Sequence, residues 1–478
     1  MAVIELDIST SVEGLFRRVA EESGAFWLDG EGTDGATFMG FLPRAQLVLR
    51  ADGRLVEARD GRGRSVRGEP LQALEEFVAG AADDVPDGVP HTIGFFAYDL
   101  ACAIEPRIEP RRDPSSRLPL ARLARYDAVL EVRADRARAD AERAASCSVR
   151  VHAATAGAAE RVASIVLEAR DDVPAQRRGT RRAARLLEAP HAERHIAAVE
   201  RALAYIAAGD VYQVNLAQRV RVASDASPSE TYLRMRAAQH VPQGAYLDCG
   251  RFAVLCGSPE RFVRVAGRTI ETEPIKGTRP RAPEPARDAA LREALLTDPK
   301  ERAEHVMIVD LERNDLGRVC VAGSVHVPSL MRVETFATLH HMVSTVRGTL
   351  RDDVGLAALL RATFPGGSIT GAPKIRAAQV IAELEPAPRE LYTGAIAWFR
   401  GARDFDSAIA IRTAVACDGV YTYHAGGGIV ADSDPRREHE ECLLKATPFL
   451  RALGLDPFAQ ERPPLARALA PRAVAEGA

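Results

Sequence analysis

DSAIAIRTAVACDGVYTYHAG, residues 406–426, is rich in β-branched and aromatic residues and reads as strand, and this reading decides the fold. Similar runs recur at YLDCGRFAVLCGS (246–258), RFVRVAG (261–267), HVPSLMRVETF (326–336), MVSTVRGTL (342–350) and TGAIAWFR (393–400). Between them the patterning predicts helices near 284–296, 299–309, 354–362, 371–383 and 437–447. Hairpin runs separated by helices predict an α+β chain of antiparallel sheets with helices outside, not a doubly wound parallel sheet. Within the opening stretch, Arg412 shares its predicted strand face with Asp406, Ala408, Ala410 and Ala414. A guanidinium over a floor of small residues suits a carboxylate clamp, and the plainer reading is a salt bridge to Asp406.

Working outward, AQLVLRADGRLVEA (45–58) reads as a hairpin turning at ADG, and LQALEEFVAG (71–80) as a helix with Leu71, Leu74 and Phe77 on one face. The prolines and charges of EPRIEPRRDPSSRLP (105–119) predict an exposed loop. From 133 to 190 the chain is rich in Ala and Arg, which reads as a solvated face or linker. Periodicity returns in AERHIAAVERALAYIAAGD (192–210), a helix. It is followed by VYQVNLAQRVRV (211–222), a strand with Gln213, Asn215, Ala217 and Arg219 on one side. The segment from Pro457 is rich in Pro and Ala and is expected to be poorly ordered.

The 478 residues are 46% hydrophobic and 27% charged, enough to bury a sizeable core. A net charge of −3 offers no general attraction to nucleic acid or to an anionic membrane, so neither partner is expected. Seven cysteines without a C-x-x-C pair indicate neither a zinc cage nor a disulfide framework. With no apolar run long enough to span a bilayer and no secretory leader pattern, the expected location is cytoplasmic.

Of 63 basic residues only four are lysine, Lys276, Lys300, Lys374 and Lys445. Where arginine is the habitual cation, a retained lysine in EPIKGTRPR (273–281) points to chemistry needing an amine that can lose its proton. Glu304 lies on a helix whose start is marked by Asp298, Pro299 and Glu301, a capping-box pattern. Glu438, Glu441 and Lys445 form one helical stripe. Carboxylates from separate helices, completed by water and an anionic substrate, suit Mg²⁺, although any one glutamate taken alone reads better as solvated. Gly426, Gly427 and Gly428 would admit an anion to backbone N–H groups, or else mark a bulge or bend. Ser368 and Thr370 are read as caps for the helix that follows. His341 reads as a polar ring in a cleft or a structural hydrogen-bonder, and Glu260 as a turn carboxylate. No serine-hydrolase elbow, HExxH, Walker loop or G-x-C-x-G is present.

Taken in order, AGDVYQVNLAQR, SPERF, PIKGTRPR, DPKERAEHVMIVDLERNDLGRV, VETFATLHHMVSTVRG, FPGGSITGAPKIRA, LYTGAIAWF, SAIAIRTA and AGGGIVADSDPRREHEECLLKA resemble the chorismate-utilising enzymes. That family includes anthranilate synthase component I, aminodeoxychorismate synthase component I, and the isochorismate and salicylate synthases. The resemblance runs from 208 to 446, with a fainter echo in GFFAYDLA (94–101). It implies two antiparallel β-sheets packed as a sandwich with helices outside. It also implies an N-terminal subdomain over 1–185, a chorismate-binding catalytic domain over 186–456, and the tail 457–478.

Lysine between "PI" and "GT" is similar to the aminodeoxychorismate synthases, whereas anthranilate synthases carry alanine there. The resemblance therefore implies that Lys276 attacks chorismate and ammonia then displaces it, giving 4-amino-4-deoxychorismate. Glu260 would be the proton donor, and Glu304, Glu438 and Glu441 would hold Mg²⁺. Gln213, Thr278, His341, Tyr392, Arg412, Gly426, Gly427, Gly428 and Lys445 would bind substrate. Lys374 would line the site and Lys300 the surface. Gln213 stands where isochorismate synthases carry a water-activating lysine, so its neutrality argues against that activity. FWLDGEGTDG (26–35) lacks the L-E-S signature of tryptophan-inhibited relatives, so no tryptophan feedback is expected. Ammonia is expected from a separate class I glutamine amidotransferase subunit. The rival expectations are an anthranilate synthase component I, and a non-catalytic subunit that docks a glutaminase.

Overall fold

The structure, a computed structural model, describes residues 1–8, 10–30, 36–59, 61–80, 88–109, 113, 116–134, 147–168, 184–239, 241–336 and 339–456. The tail after 456 and parts of the Ala/Arg-rich stretch lie outside these residues. Two antiparallel sheets of twelve strands each face one another. Their facing sides meet in a core that includes Phe26, Leu247, Val254 and Val415 from one sheet with Ile93, Phe95, Ile396 and Trp398 from the other. Helices cover the outer faces, and the apolar stripe of Pro70–Ala79 (Leu71, Leu74, Phe77) is buried against the second sheet.

Each sheet is built from both halves of the chain. In the first, Phe26–Leu28 pairs with Gln243–Asp248; in the second, Thr92–Phe96 pairs with Ala395–Gly401. Both sheets therefore run unbroken across the 185/186 division. The ADG hairpin forms as read, with Leu49 opposite Leu55 and Gly53 at φ 83°.

The opening stretch is not one strand, and this corrects the reading of Arg412. Asp404–Ile409 belongs to the second sheet, whereas Thr413–Cys417 and Val420–Ile429 belong to the first. Residues 410–412 carry the chain between the sheets, and Arg412 takes φ 52° at the crossing. Asp406 consequently pairs with Arg261 (3.0 Å), not with Arg412. A second crossing lies beside it, where Phe252–Ser258 in the first sheet leads through Pro259 and Glu260 to Arg261–Ala266 in the second. The two crossings are tied by main-chain bonds: Gly257 N donates to Arg412 O (3.0 Å) and Ile409 N to Glu260 O (3.0 Å). Period-two patterning survives such a crossing, which is why the sequence conceals it.

Gln213–Ala223 and Val420–Ile429 form a ladder without a register shift, so the glycine run is regular strand, not a bulge. Beneath it, Arg389 is 2% exposed and donates to Glu385 (2.7 Å), Asn215 O (2.8 Å) and Ile369 O (3.1 Å). Ala217 N also donates to Glu385 (2.8 Å). This network joins the strand to the loop after Thr363. Arg389→Leu removes the cation that buried Glu385 faces and should cost about 3–5 kcal/mol. Urea unfolding at pH 7 measures it, and a midpoint like wild type would show that the network carries little stability.

Candidate functional site

Lys276 lies on the edge strand Ile275–Pro280 of the second sheet, and its amine donates to Ser368 O (3.1 Å). Ser368 Oγ in turn donates to Glu260 Oε1 (2.8 Å). Amine and carboxyl thus meet on one serine. Burial lowers the Lys276 pKa from its ordinary value, against the pull of Glu260, Glu304 and Glu441 and with the push of Lys445. Burial raises the Glu260 pKa, countered by Ser368 and Lys276. Both shifts favour the neutral pair, an unprotonated amine beside a protonated carboxyl.

The metal candidates come from two helices. Pro299–Gly317 carries Glu304, and its N-terminus is capped by Asp298, which accepts from Lys300 N (3.0 Å) and Glu301 N (3.2 Å). Glu301 does not return to the cap; it pairs with Arg279 (2.9 Å). Pro435–Ala452 carries Glu438 and Glu441. Burial raises Glu304 and Glu438, and their mutual repulsion adds to the shift of Glu304. Glu441 is held below the usual range chiefly by Lys445, 2.6 Å away. Hard oxygen donors strained by burial and repulsion fit a divalent cation such as Mg²⁺. Among the described residues no three of His, Cys, Asp or Glu are gathered so as to hold a metal ion by themselves, so water and substrate oxygens would have to supply much of the shell.

The glycine strand forms the floor. A Cβ on Gly427 would lie 2.9 Å from Glu438 Oε2, and one on Gly428 would lie 2.7 Å from Gln213 Nε2 and 3.6 Å from Lys276 Nζ. A Cβ on Gly426 would instead strike Leu216 O at 2.4 Å. Two glycines therefore leave space for the site and one serves strand packing. Gln213 is 1% exposed, and neither side-chain amide atom has a hydrogen-bond partner. A buried amide left open in this way suits a ligand.

Around this floor, Lys445 donates to Gly426 O (2.7 Å), and Arg412 donates to Lys445 O (3.1 Å). Thr278 Oγ1 and His341 Nδ1 share a 2.9 Å hydrogen bond. Burial first, and Arg412 second, push His341 down to about 4, so the ring is neutral. Tyr392 stands apart: its ring stacks on His424 (5.3 Å) and lies 5.5 Å from the Arg389 guanidinium. Among the described residues its side chain makes no hydrogen bond to Lys276 or Arg412. Lys374 also departs from its reading, because its amine binds Asp315 and Thr363 O (2.9 Å) instead of facing the cleft. Lys300 is half exposed, 3.9 Å from Glu304.

Sequence reasoning missed Ser368, His305 and Glu312. Ser368 and Thr370 cap nothing: the following helix starts after Pro373 without a side-chain cap, and Thr370 Oγ1 donates to Gly366 O (2.9 Å). The signal was the pair Gly366–Gly367 before the serine, which lets its peptide press onto a helix. His305, next to Glu304 on the helix that packs against the strand of Lys276, is fully buried and reaches Ser344 Oγ (2.6 Å).

Comparison with known proteins identifies the family. Residues 24–451 match the model of a family described as chorismate binding enzyme. Aminodeoxychorismate synthase component 1 of Bacillus subtilis is 46% identical over 258 residues, covering 54% of this chain and 55% of that protein. Anthranilate synthase component 1 of Streptomyces coelicolor is 40% identical over 400 residues, covering 81% and 78%. Against that aminodeoxychorismate synthase, then, the chain spans only about half of the relative's length. The crystal structure of anthranilate synthase component I from Streptococcus pneumoniae superimposes with a TM-score of 0.72 at 29% identity, covering 87% of this chain and 92% of that one.

The histidine burial has a pH signature. His341 in the unfolded chain titrates near ~6.5, and in the fold near about 4. Between these values the unfolded state binds the extra proton. Stability is therefore fully present above the unfolded value and is lost as pH falls toward the folded one. His195 and His305, also pushed by burial to about 4, act in the same direction. Urea midpoints should fall from pH 6.5 to pH 4, and His341→Asn should flatten that slope. An unchanged slope would place the His341 titration at its ordinary value.

Proposed function

Proceeding from a chain that belongs to the chorismate-binding enzyme family, we propose that it aminates chorismate to 4-amino-4-deoxychorismate through a covalent bond to Lys276. The observation that carries this reading is the Lys276 amine, its charge disfavoured by burial, joined to Glu260 through Ser368 and facing Glu304 and Glu441 on two helices. An amine is poorly explained in a site that only needs positive charge, since this chain otherwise uses arginine.

The neutral amine adds to ring carbon 2. The two ring double bonds shift, and the 4-hydroxyl departs as water with the proton of Glu260. Ammonia adds at carbon 4, the double bonds shift back, and the lysine nitrogen leaves as a neutral amine. The new ammonium returns a proton to the Glu260 carboxylate, so the site is restored and the enolpyruvyl group is retained. Arg412 and Lys445 would meet substrate carboxylates, and Gln213 would hydrogen-bond the ring substituents. His341, neutral, offers a polar ring edge without charge. Magnesium, when held by Glu304, Glu438 and Glu441, would draw electron density from the conjugated ring through its carboxylate. Ammonia would come from a class I glutaminase acting in trans, a reading supported by relatives named component 1 and by the absence of G-x-C-x-G from these residues.

Anthranilate formation is the second reading. It is favoured by the longer match to the Streptomyces coelicolor anthranilate synthase component 1. Mass spectrometry of the product from chorismate, Mg²⁺ and an ammonium salt separates the two. The expected product keeps its enolpyruvyl ether; anthranilate with released pyruvate would reject the proposal. Lys276→Ala should abolish turnover and Glu260→Gln should lower kcat about 10²–10⁴-fold. A Lys276→Ala enzyme that still forms the amine at the wild-type rate would remove the covalent step.

A further inference from the structure

Ser368 commits each of its polar groups to a different ionisable side chain. Its carbonyl accepts from Lys276 Nζ (3.1 Å), its hydroxyl donates to Glu260 Oε1 (2.8 Å), and its main-chain N–H faces the Glu312 carboxylate. The residue is 3% exposed and Glu312 4%. The loop reaches Glu312 because Gly367 has no side chain: a Cβ there would lie 2.5 Å from Leu311 Cδ2 and 3.2 Å from Glu312 Oε1. The turn is closed by Thr370 N to Gly367 O (3.2 Å) and Gly371 N to Gly367 O (3.1 Å). Lys374 clamps its flanks, binding Asp315 on the helix and Thr363 O at the start of the loop.

Building on the lysine-addition reading above, we propose that Ser368, held by Glu312, is a positioning residue that aims the Lys276 lone pair and selects which oxygen of Glu260 delivers the proton. Glu260 Oε1 accepts from Ser368 Oγ and faces Ile275 N at 3.5 Å, so its lone pairs are engaged and the acidic proton resides on Oε2. On the nitrogen, one N–H is spent on the Ser368 carbonyl, which turns the lone pair away from the loop and toward the cleft. Glu312 needs to supply an acceptor, not a charge. Burial first and Asp315 second push its carboxyl up to about 8, and an uncharged carboxyl still presents an acceptor toward the Ser368 N–H. Both reacting groups are thereby referred to one peptide, and that peptide to one helix.

The test is kinetic, on the full chain with chorismate, Mg²⁺ and an ammonium salt. Ser368→Ala deletes the hydroxyl and keeps the carbonyl. The expected result is kcat reduced about tenfold to a hundredfold, the scale of a hydrogen bond to an ionisable group, with the KM for chorismate within about threefold. Because the lost bond had lowered the Glu260 pKa, the alkaline limb of the kcat profile should move to higher pH. Glu312→Ala should reproduce the loss of kcat, and Glu312→Gln, which restores an acceptor without charge, should recover it to within about threefold. Should Ser368→Ala melt below the assay temperature, Ser368→Cys, a weak donor, carries the same comparison and should show the same direction. An unchanged kcat, an unmoved limb, or Glu312→Gln as impaired as Glu312→Ala would overturn the inference while wild-type turnover leaves the proposed function standing. A wild type that forms no aminated product would remove both.

Discussion

On the lysine-addition reading, the site depends on shielding one half-buried primary amine from water without surrendering it to a salt bridge. Desolvation disfavours the charged forms of both Lys276 and Glu260, and each group's charge would stabilise the other's. A direct ion pair would resolve that tension in the wrong direction, leaving an ammonium that cannot add to carbon. Ser368 stands between them and gives each a hydrogen bond compatible with neutrality. The remaining charges are set one step further out, where Glu441 is satisfied by Lys445 and Glu304 and Glu438 repel.

That arrangement requires side chains from both sheets to meet at one point, and the fold meets this requirement by exchanging strands between them. The chain changes sheets at Glu260 and again at Arg412, and the exchanges are bonded to each other through Gly257 and Ile409. Neither residue is on a free loop. The glycine strand adds a second constraint, because a side chain at Gly428 would meet Gln213 and Lys276 and one at Gly427 would meet Glu438. Rigid elements therefore hold the candidate groups more closely than loops would.

Much of this was legible in the sequence, and what escaped has a common cause. Periodicity located Gln213–Ala223 and the helix carrying Glu438, Glu441 and Lys445, because burial on one face imposes its spacing on the chain. The Asp298 cap was readable for the same local reason. The sheet exchange at 410–412 was hidden, since a strand that changes partner keeps its alternation, and Asp406 was offered as the alternative partner of Arg412 on that false continuity. Ser368 was misread because serine before a helix usually caps it, whereas here its hydroxyl is drawn to a carboxyl 108 positions away in sequence. Tertiary partners of this kind leave no periodic trace.

The scarcity of lysine can now be given a geometric reading. The Lys374 ammonium binds both Asp315 and Thr363 O, and that of Lys445 binds both Glu441 and Gly426 O (2.7 Å). In each case a compact cation points donors in divergent directions at a carboxylate and a carbonyl, which a planar guanidinium fork matches poorly. Arg389 shows the converse, with its fork laid flat against Glu385 and ringed by carbonyls. Lys276 is the remaining case within the site, and it differs in its partner: its hydrogen bond runs to a neutral carbonyl, with the nearby acid reached only through a serine. A lysine kept for its charge would be expected to face a carboxylate directly, as Lys374 and Lys445 do. Among the described residues Lys276 makes no such contact, as the proposed nucleophile would require, because an amine that must lose its proton is ill served by an ionised partner.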